Sequence, residues 1–169
     1  MGGERDRERF KVLLHIAGQE LSSLAEPIII LMVEDNEGDA FLTRELLKEA
    51  KVTNVIHIVK DGVEAMSFLH KEAPFADAPT PDLILLDLKM PRMDGHEVLA
   101  RIKSDPDLEC IPVVILTSSE ADEDVLRAYK HNANCYVTKP VGLEQFSKIV
   151  RSIDDFWLSV VKLPTRLDK

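Results

Sequence analysis

Cysteine is scarce: two in 169 residues, Cys110 and Cys135, at a spacing that matches no metal or redox motif. So few cysteines build no disulfide framework and suit a reducing compartment. Aromatic residues are thin at 5%, with a single tryptophan, Trp157. No apolar run approaches the roughly 20 residues that span a bilayer. The opening stretch, "MGGERDRER", carries charges where a secretory leader needs an apolar region. Asp6 stands where a myristoylation signal needs Ser or Thr. Basic residues are the minority, 21 against 30 acids, for a formal charge of −9. That balance argues against a protein held to nucleic acid by general attraction for phosphate. Together these absences predict a cytoplasmic protein with no membrane segment and no direct nucleic-acid contact.

What the chain does have is apolar content, 45%, enough for a sizeable core. Phe10, Leu14, Ala17, Leu21 and Leu24 step at helical spacing, and Pro27 ends that stripe. "IIILMV" (28–33) then reads as a strand covered on both faces. Strands are also expected at 54–59, 82–87, 111–117 and 134–140, each followed by a helical pattern. Asn36 and Asp61 are expected to cap the first two of those helices. Strict alternation implies parallel strands joined by helical crossovers, an α/β sheet with helices on both faces. The expected organisation is an N-terminal extension (1–26), one domain (27–163) with an extended last helix, and a short tail (164–169).

In such sheets ligands collect beyond the carboxyl ends of the strands. The first strand ends on Glu34 and Asp35, the third on Asp87, the fourth on Thr117, and the fifth on Thr138, Lys139 and Pro140. Taken singly, an acid after a strand is an ordinary turn residue, a strand-end Thr is β-propensity and a Lys before Pro is solvated. Three acids, a hydroxyl and an ammonium converging on one edge are better explained as one site. Three clustered carboxylates repel one another unless a hard cation joins them, and oxygen ligands with retained waters suit Mg2+. Asp87 beside a cation, a lysine and a hydroxyl is a nucleophile placed for phosphoryl transfer.

The motifs "VEDN" (33–36), "LLDLKMPRMDG" (85–95), "ILTS" (115–118) and "YVTKP" (136–140) carry a family resemblance. In this order, with 30 residues from Asp87 to Thr117 and 22 from Thr117 to Lys139, they resemble a response-regulator receiver domain of two-component signalling. The resemblance implies a flavodoxin-like (βα)5 fold with strand order 2-1-3-4-5. It implies that Asp87 accepts a phosphoryl group from a histidine kinase. Asp35 would be a direct Mg2+ ligand, Glu34 would act through water, and the Lys89 backbone carbonyl would be a third protein ligand. Thr117 and Tyr136 match the switch pair, Lys139 matches the lysine that pairs with the phosphoryl group, and a cis peptide is implied before Pro140. Glu34 departs from the Asp common in the family. Lys89 and Ser119 occupy positions that tune acyl-phosphate hydrolysis. "SDPDLECIPVVILTSS" and "FWLSVVKLP" resemble single-domain regulators that partner phytochrome-type sensor kinases.

Thirty residues follow Lys139, too few for a DNA-binding output domain of the usual size. Leu143, Phe146, Val150, Ile153, Trp157 and Val160 form one helical stripe, widened by Ile149, Phe156 and Leu163 beyond what a sheet face covers. The excess, centred on Trp157 with Phe156, Ile153 and Val160, predicts a homodimer surface. A phosphatase of the haloacid-dehalogenase type also forms an aspartyl phosphate, but wants a second acid two residues after the nucleophile, where this chain has Lys89. A phosphorylation-independent pseudo-receiver adaptor is the other alternative, disfavoured by the intact Asp35, Asp87, Thr117 and Lys139.

Overall fold

Five short apolar runs become the five strands of one parallel sheet. In the computed structural model, which describes residues 26–164, they are β1 (Ile28–Val33), β2 (Asn54–Val59), β3 (Leu83–Leu86), β4 (Val113–Thr117) and β5 (Cys135–Thr138). The helices are α1 (Glu37–Lys48), α2 (Gly62–Leu69), α3 (Gly95–Ser104), α4 (Asp122–Lys130) and α5 (Leu143–Ile153). The stripe from Phe10 to Leu24 and the tail from residue 165 lie outside the described residues. Strand order is β2-β1-β3-β4-β5, as expected for a flavodoxin-like fold.

Each inner strand is buried on both faces because its residues divide by parity. Leu31, Val33, Ile84, Leu86, Val113 and Ile115 pack under α2, α3 and α4. Ile30, Met32, Leu83, Leu85, Val114 and Leu116 pack under α1 and α5. The expected caps are in place: the Asn36 side chain accepts the Asp39 N–H, and Asp61 accepts those of Val63 and Glu64. Asp94 caps α3 in the same way through Glu97. The Asn36 and Asp61 caps start α1 and α2 within three residues of the ends of β1 and β2, so those two β–α connections are short and fixed.

The last helix departs from the expected stripe. After Ile153 the chain makes a π turn, Asp154–Leu158, closed by the Ser159 N–H on the Asp154 carbonyl at 3.2 Å. The wider turn inserts one residue into the repeat. The core position after Ile153 is therefore Leu158, at i+5, instead of Trp157, at i+4. Ile153 and Leu158 are both buried in the α1/α5 layer, and Trp157 is half-buried against it. Ile153 thus belongs to the core and not to the expected contact surface. Phe156 and Val160 are exposed, and the Phe156 ring meets Trp157 edge-on with centroids 5.6 Å apart.

Candidate functional site

The strand order changes direction at β1, which pairs with β2 on one side and β3 on the other. Ligand crevices in doubly wound sheets open at this point. Val33 lies in register with both Val59 and Leu86, and the Asp87 N–H donates to the Val33 carbonyl at 3.0 Å. The residues immediately beyond, Glu34, Asp35 and Asp87, are thereby brought together. Oxygen atoms of the three carboxylates lie within 4.8 Å of one another. Glu34 and Asp87 are buried, while Asp35 opens to solvent. Hard oxygen donors, two buried and one exposed, fit a divalent cation that keeps some of its waters.

Lys139 reaches across from the end of β5. Its N–H donates to the Thr117 carbonyl at 2.7 Å, which prolongs the β4–β5 ladder and points the side chain over the carboxylates. Its side chain is 8% exposed, and the ammonium contacts Glu34 most closely, then Asp39 at 3.0 Å and Asp87 at 3.3 Å. Burial works against that charge, but Glu34 above all, with Asp87 and Asp39, outweighs it and raises the Lys139 pKa. Burial also pushes the Glu34 carboxyl up to about 7, against the pull of Lys139 and with the Asp87 charge adding to it. The lysine keeps its proton, and Glu34 is the acid for which ionisation is costly.

The turn after Asp87 shows why "MDG" follows it. The Gly95 N–H donates to the Leu88 carbonyl at 3.0 Å, folding α3 back beneath the end of β3. A Cβ at Gly95 would lie 2.2 Å from the Asp87 carbonyl oxygen, so only glycine fits. The Lys89 N–H donates to Asp87 Oδ1 at 3.1 Å, which orients the carboxylate. Arg92 adopts a left-handed backbone (φ 67°) and its guanidinium pairs with the buried Asp61 that caps α2. The loop is thus tied at both ends.

Thr117 is fully buried at the end of β4, and its Oγ1 accepts the Ser119 N–H at 3.4 Å. Tyr136, on the neighbouring strand, is half-buried, and its hydroxyl donates to the Ser119 carbonyl at 3.0 Å. Both members of the expected pair therefore meet at one residue of the β4–α4 loop. The peptide before Pro140 is trans, unlike the cis form the resemblance implied; the cis bond among the described residues precedes Pro74.

Two contacts escaped the sequence reading. Asp39 lies in the first turn of α1, directly after the strand-end acids and the Asn36 cap, and that placement is the signal that could have put it near Lys139. The buried His96, on α3, contacts Asp124 of α4 at 3.0 Å, and Asp124 also accepts the Ser119 hydroxyl. Those hydrogen bonds, Ser119 first and His96 second, hold the Asp124 carboxyl below the usual range. The pairing joins residues 28 apart on different helices, and no local pattern announces it.

An acidic crevice thus lies at the switch point of a flavodoxin-like sheet, bridged by a buried lysine, the site of a signalling domain whose family the comparisons identify. The chain belongs to the response regulator receiver domain family, whose model matches residues 30–151. It is 46% identical over 138 residues to the response regulator Rcp1 of Synechocystis sp., covering 82% of this chain and 94% of that one. The crystal structure of the Mn(2+)-bound form of Rcp1 superposes with a TM-score of 0.81 at 45% identity, over 82% of this chain and all of the other. The phosphorylated cyanobacterial phytochrome response regulator RcpA gives 0.80 at 46% identity, over 83% and 100%. Among the described residues, no helix is long and apolar enough to cross a membrane.

Proposed function

We propose that this chain is a cytoplasmic response regulator in which Asp87 takes a phosphoryl group from a sensor histidine kinase of the phytochrome type. The observation that carries the reading is the convergence of Glu34, Asp35 and Asp87 within 4.8 Å, with the Lys139 ammonium 3.3 Å from Asp87. The descriptions of Rcp1 as Mn(2+)-bound and of RcpA as a phosphorylated phytochrome regulator support it.

Glu34, Asp35, Asp87 and the Lys89 carbonyl would hold Mg2+, which when bound neutralises phosphoryl oxygens. The chain's own residues do the rest. Asp87, oriented by the Lys89 N–H, forms the new bond to phosphorus as the bond to the donor nitrogen breaks. Lys139 pairs with the phosphoryl group. The Thr117 hydroxyl donates to a phosphoryl oxygen and gives up the Ser119 N–H. That shifts the β4–α4 loop, on whose Ser119 carbonyl Tyr136 rests. Two states separated by a few kcal/mol suffice for such a switch. Self-association uses the exposed Phe156 and Val160 with the free edge of Trp157, giving a homodimer by the same patch on each copy.

The reading is tested with acetyl phosphate in the presence and absence of Mg2+, followed by intact mass. One hydroxylamine-labile phosphoryl group is expected with Mg2+, and Asp35→Ala should lose Mg2+ affinity and labelling together. Thr117→Ala should still be labelled while Tyr136 fails to move, read from its ring resonances. Labelling that ignores both Mg2+ and Asp35 would overturn the site.

A further inference from the structure

Asp39 lies in the first turn of α1, outside the acidic triad, yet its Oδ2 is 3.0 Å from Lys139 Nζ. An ammonium has three N–H bonds, and here three carboxylates share them. Asp87, the group whose chemistry needs the lysine, is the most distant of the three. Asp39 is held in place locally: its own N–H donates to the Asn36 side chain at 3.0 Å. Among the described residues Lys139 is the cation that pairs with it, whereas the neighbouring Glu37 pairs with Lys60 at 2.8 Å.

We propose that Asp39 is a positioning residue that restrains Lys139, drawing its ammonium toward α1 and slowing phosphoryl transfer to Asp87. The proposal rests on the reading of Asp87 as the phosphoacceptor. In the transfer from acetyl phosphate, an Asp87 oxygen bonds to phosphorus while the bond from phosphorus to the acetyl oxygen breaks. The electron pair leaves with acetate, and no proton is consumed. The migrating phosphoryl oxygens carry negative charge throughout, and Lys139 is the cation this chain supplies to them. Hydrogen bonding that Asp39 takes from the ammonium is withheld from those oxygens. The carboxylate of Asp39 is about one-third exposed, at the mouth of the site.

The experiment measures the rate of labelling of the full-length chain by acetyl phosphate with saturating Mg2+. Asp39→Asn keeps the shape and removes the charge; it should raise the rate constant about three- to tenfold, the scale of one unit charge a few ångströms away. Asp39→Glu, which retains a carboxylate with the reach to contact Lys139, should stay near wild type. Glu37→Gln removes one negative charge from the same helical turn without touching Lys139 and should change the rate less than twofold. A rate for Asp39→Asn at or below wild type overturns the proposal. So does equal acceleration by Glu37→Gln, which would assign the effect to the general field, or by Asp39→Glu, which would show that the carboxylate is not the restraint. A wild type that takes no label at all would instead refute the reading of Asp87.

Discussion

Replacing Gly95 by alanine tests how the acidic site is supported. The added Cβ would sit 2.2 Å from the Asp87 carbonyl oxygen and 2.7 Å from the Leu88 Cα, where ordinary contacts begin at 3.4 Å. Both obstacles are backbone, so no side-chain rotation relieves them. The β3–α3 connection must retreat by roughly 1 Å, and overpacking of this kind costs about 1–3 kcal/mol. In a domain of this size each kcal/mol lowers Tm by about 2–4 °C. The same retreat moves the Lys89 amide and carbonyl, so labelling of Asp87 should slow along with the loss of stability. Urea unfolding followed through Trp157, which packs on the α1/α5 core, gives the first quantity, and acetyl phosphate labelling the second. Gly38→Ala is the control, because its Cβ would meet only the Asn36 side chain, at 3.2 Å. Placed within α1, that alanine should be neutral or stabilise by up to about 1 kcal/mol. A Gly95→Ala variant with unchanged midpoint and unchanged labelling would refute the argument that close approach dictates the glycine.

The π turn predicts that Leu158→Ala costs about 2–5 kcal/mol, while Val160→Ala stays within about 0.5 kcal/mol; denaturation midpoints in the reverse order would restore an uninterrupted α-helical register. Asp124 has a lowered folded pKa, so its contribution is fully present above the ordinary carboxylate value near 3.9 and drains as pH falls through the lowered one. Asp124→Asn should therefore flatten the acid limb of a stability–pH profile below about pH 4, with its largest destabilisation at neutral pH. Phe156→Glu should give a folded monomer that still accepts phosphate, read by sedimentation equilibrium; a wild type that is monomeric at high micromolar concentration, with and without phosphorylation, contradicts the dimer.

The sheet was legible because its signals are local. "IIILMV" and "LILL" are unbroken apolar runs, and Asn36, Asp61 and Gly95 punctuate them with caps and a tight return. The acids and Lys139 were legible because each directly follows a strand, and parallel strands deliver their ends to one edge. The last helix was misread at one point: α periodicity runs Ile153 and Trp157 along one stripe, and nothing in "DDFWL" announces the extra residue of a π turn. Ile153 was accordingly placed on a surface it does not reach. His96 and Asp124 were invisible for a different reason. Their contact depends on how α3 and α4 pack, and a histidine within "DGHEVLA" looks like any helix residue until its neighbours are in place.

The central claim is that Asp87 is the residue that carries the phosphoryl group. Borohydride reduces an aspartyl acyl phosphate to homoserine, leaving a permanent mark at the labelled position. After reaction with acetyl phosphate and Mg2+, peptide mass spectrometry should find homoserine at position 87 and at no other aspartate, and Asp87→Asn should show none. A mark at Asp35 or Asp39, or undiminished labelling of Asp87→Asn, would contradict it.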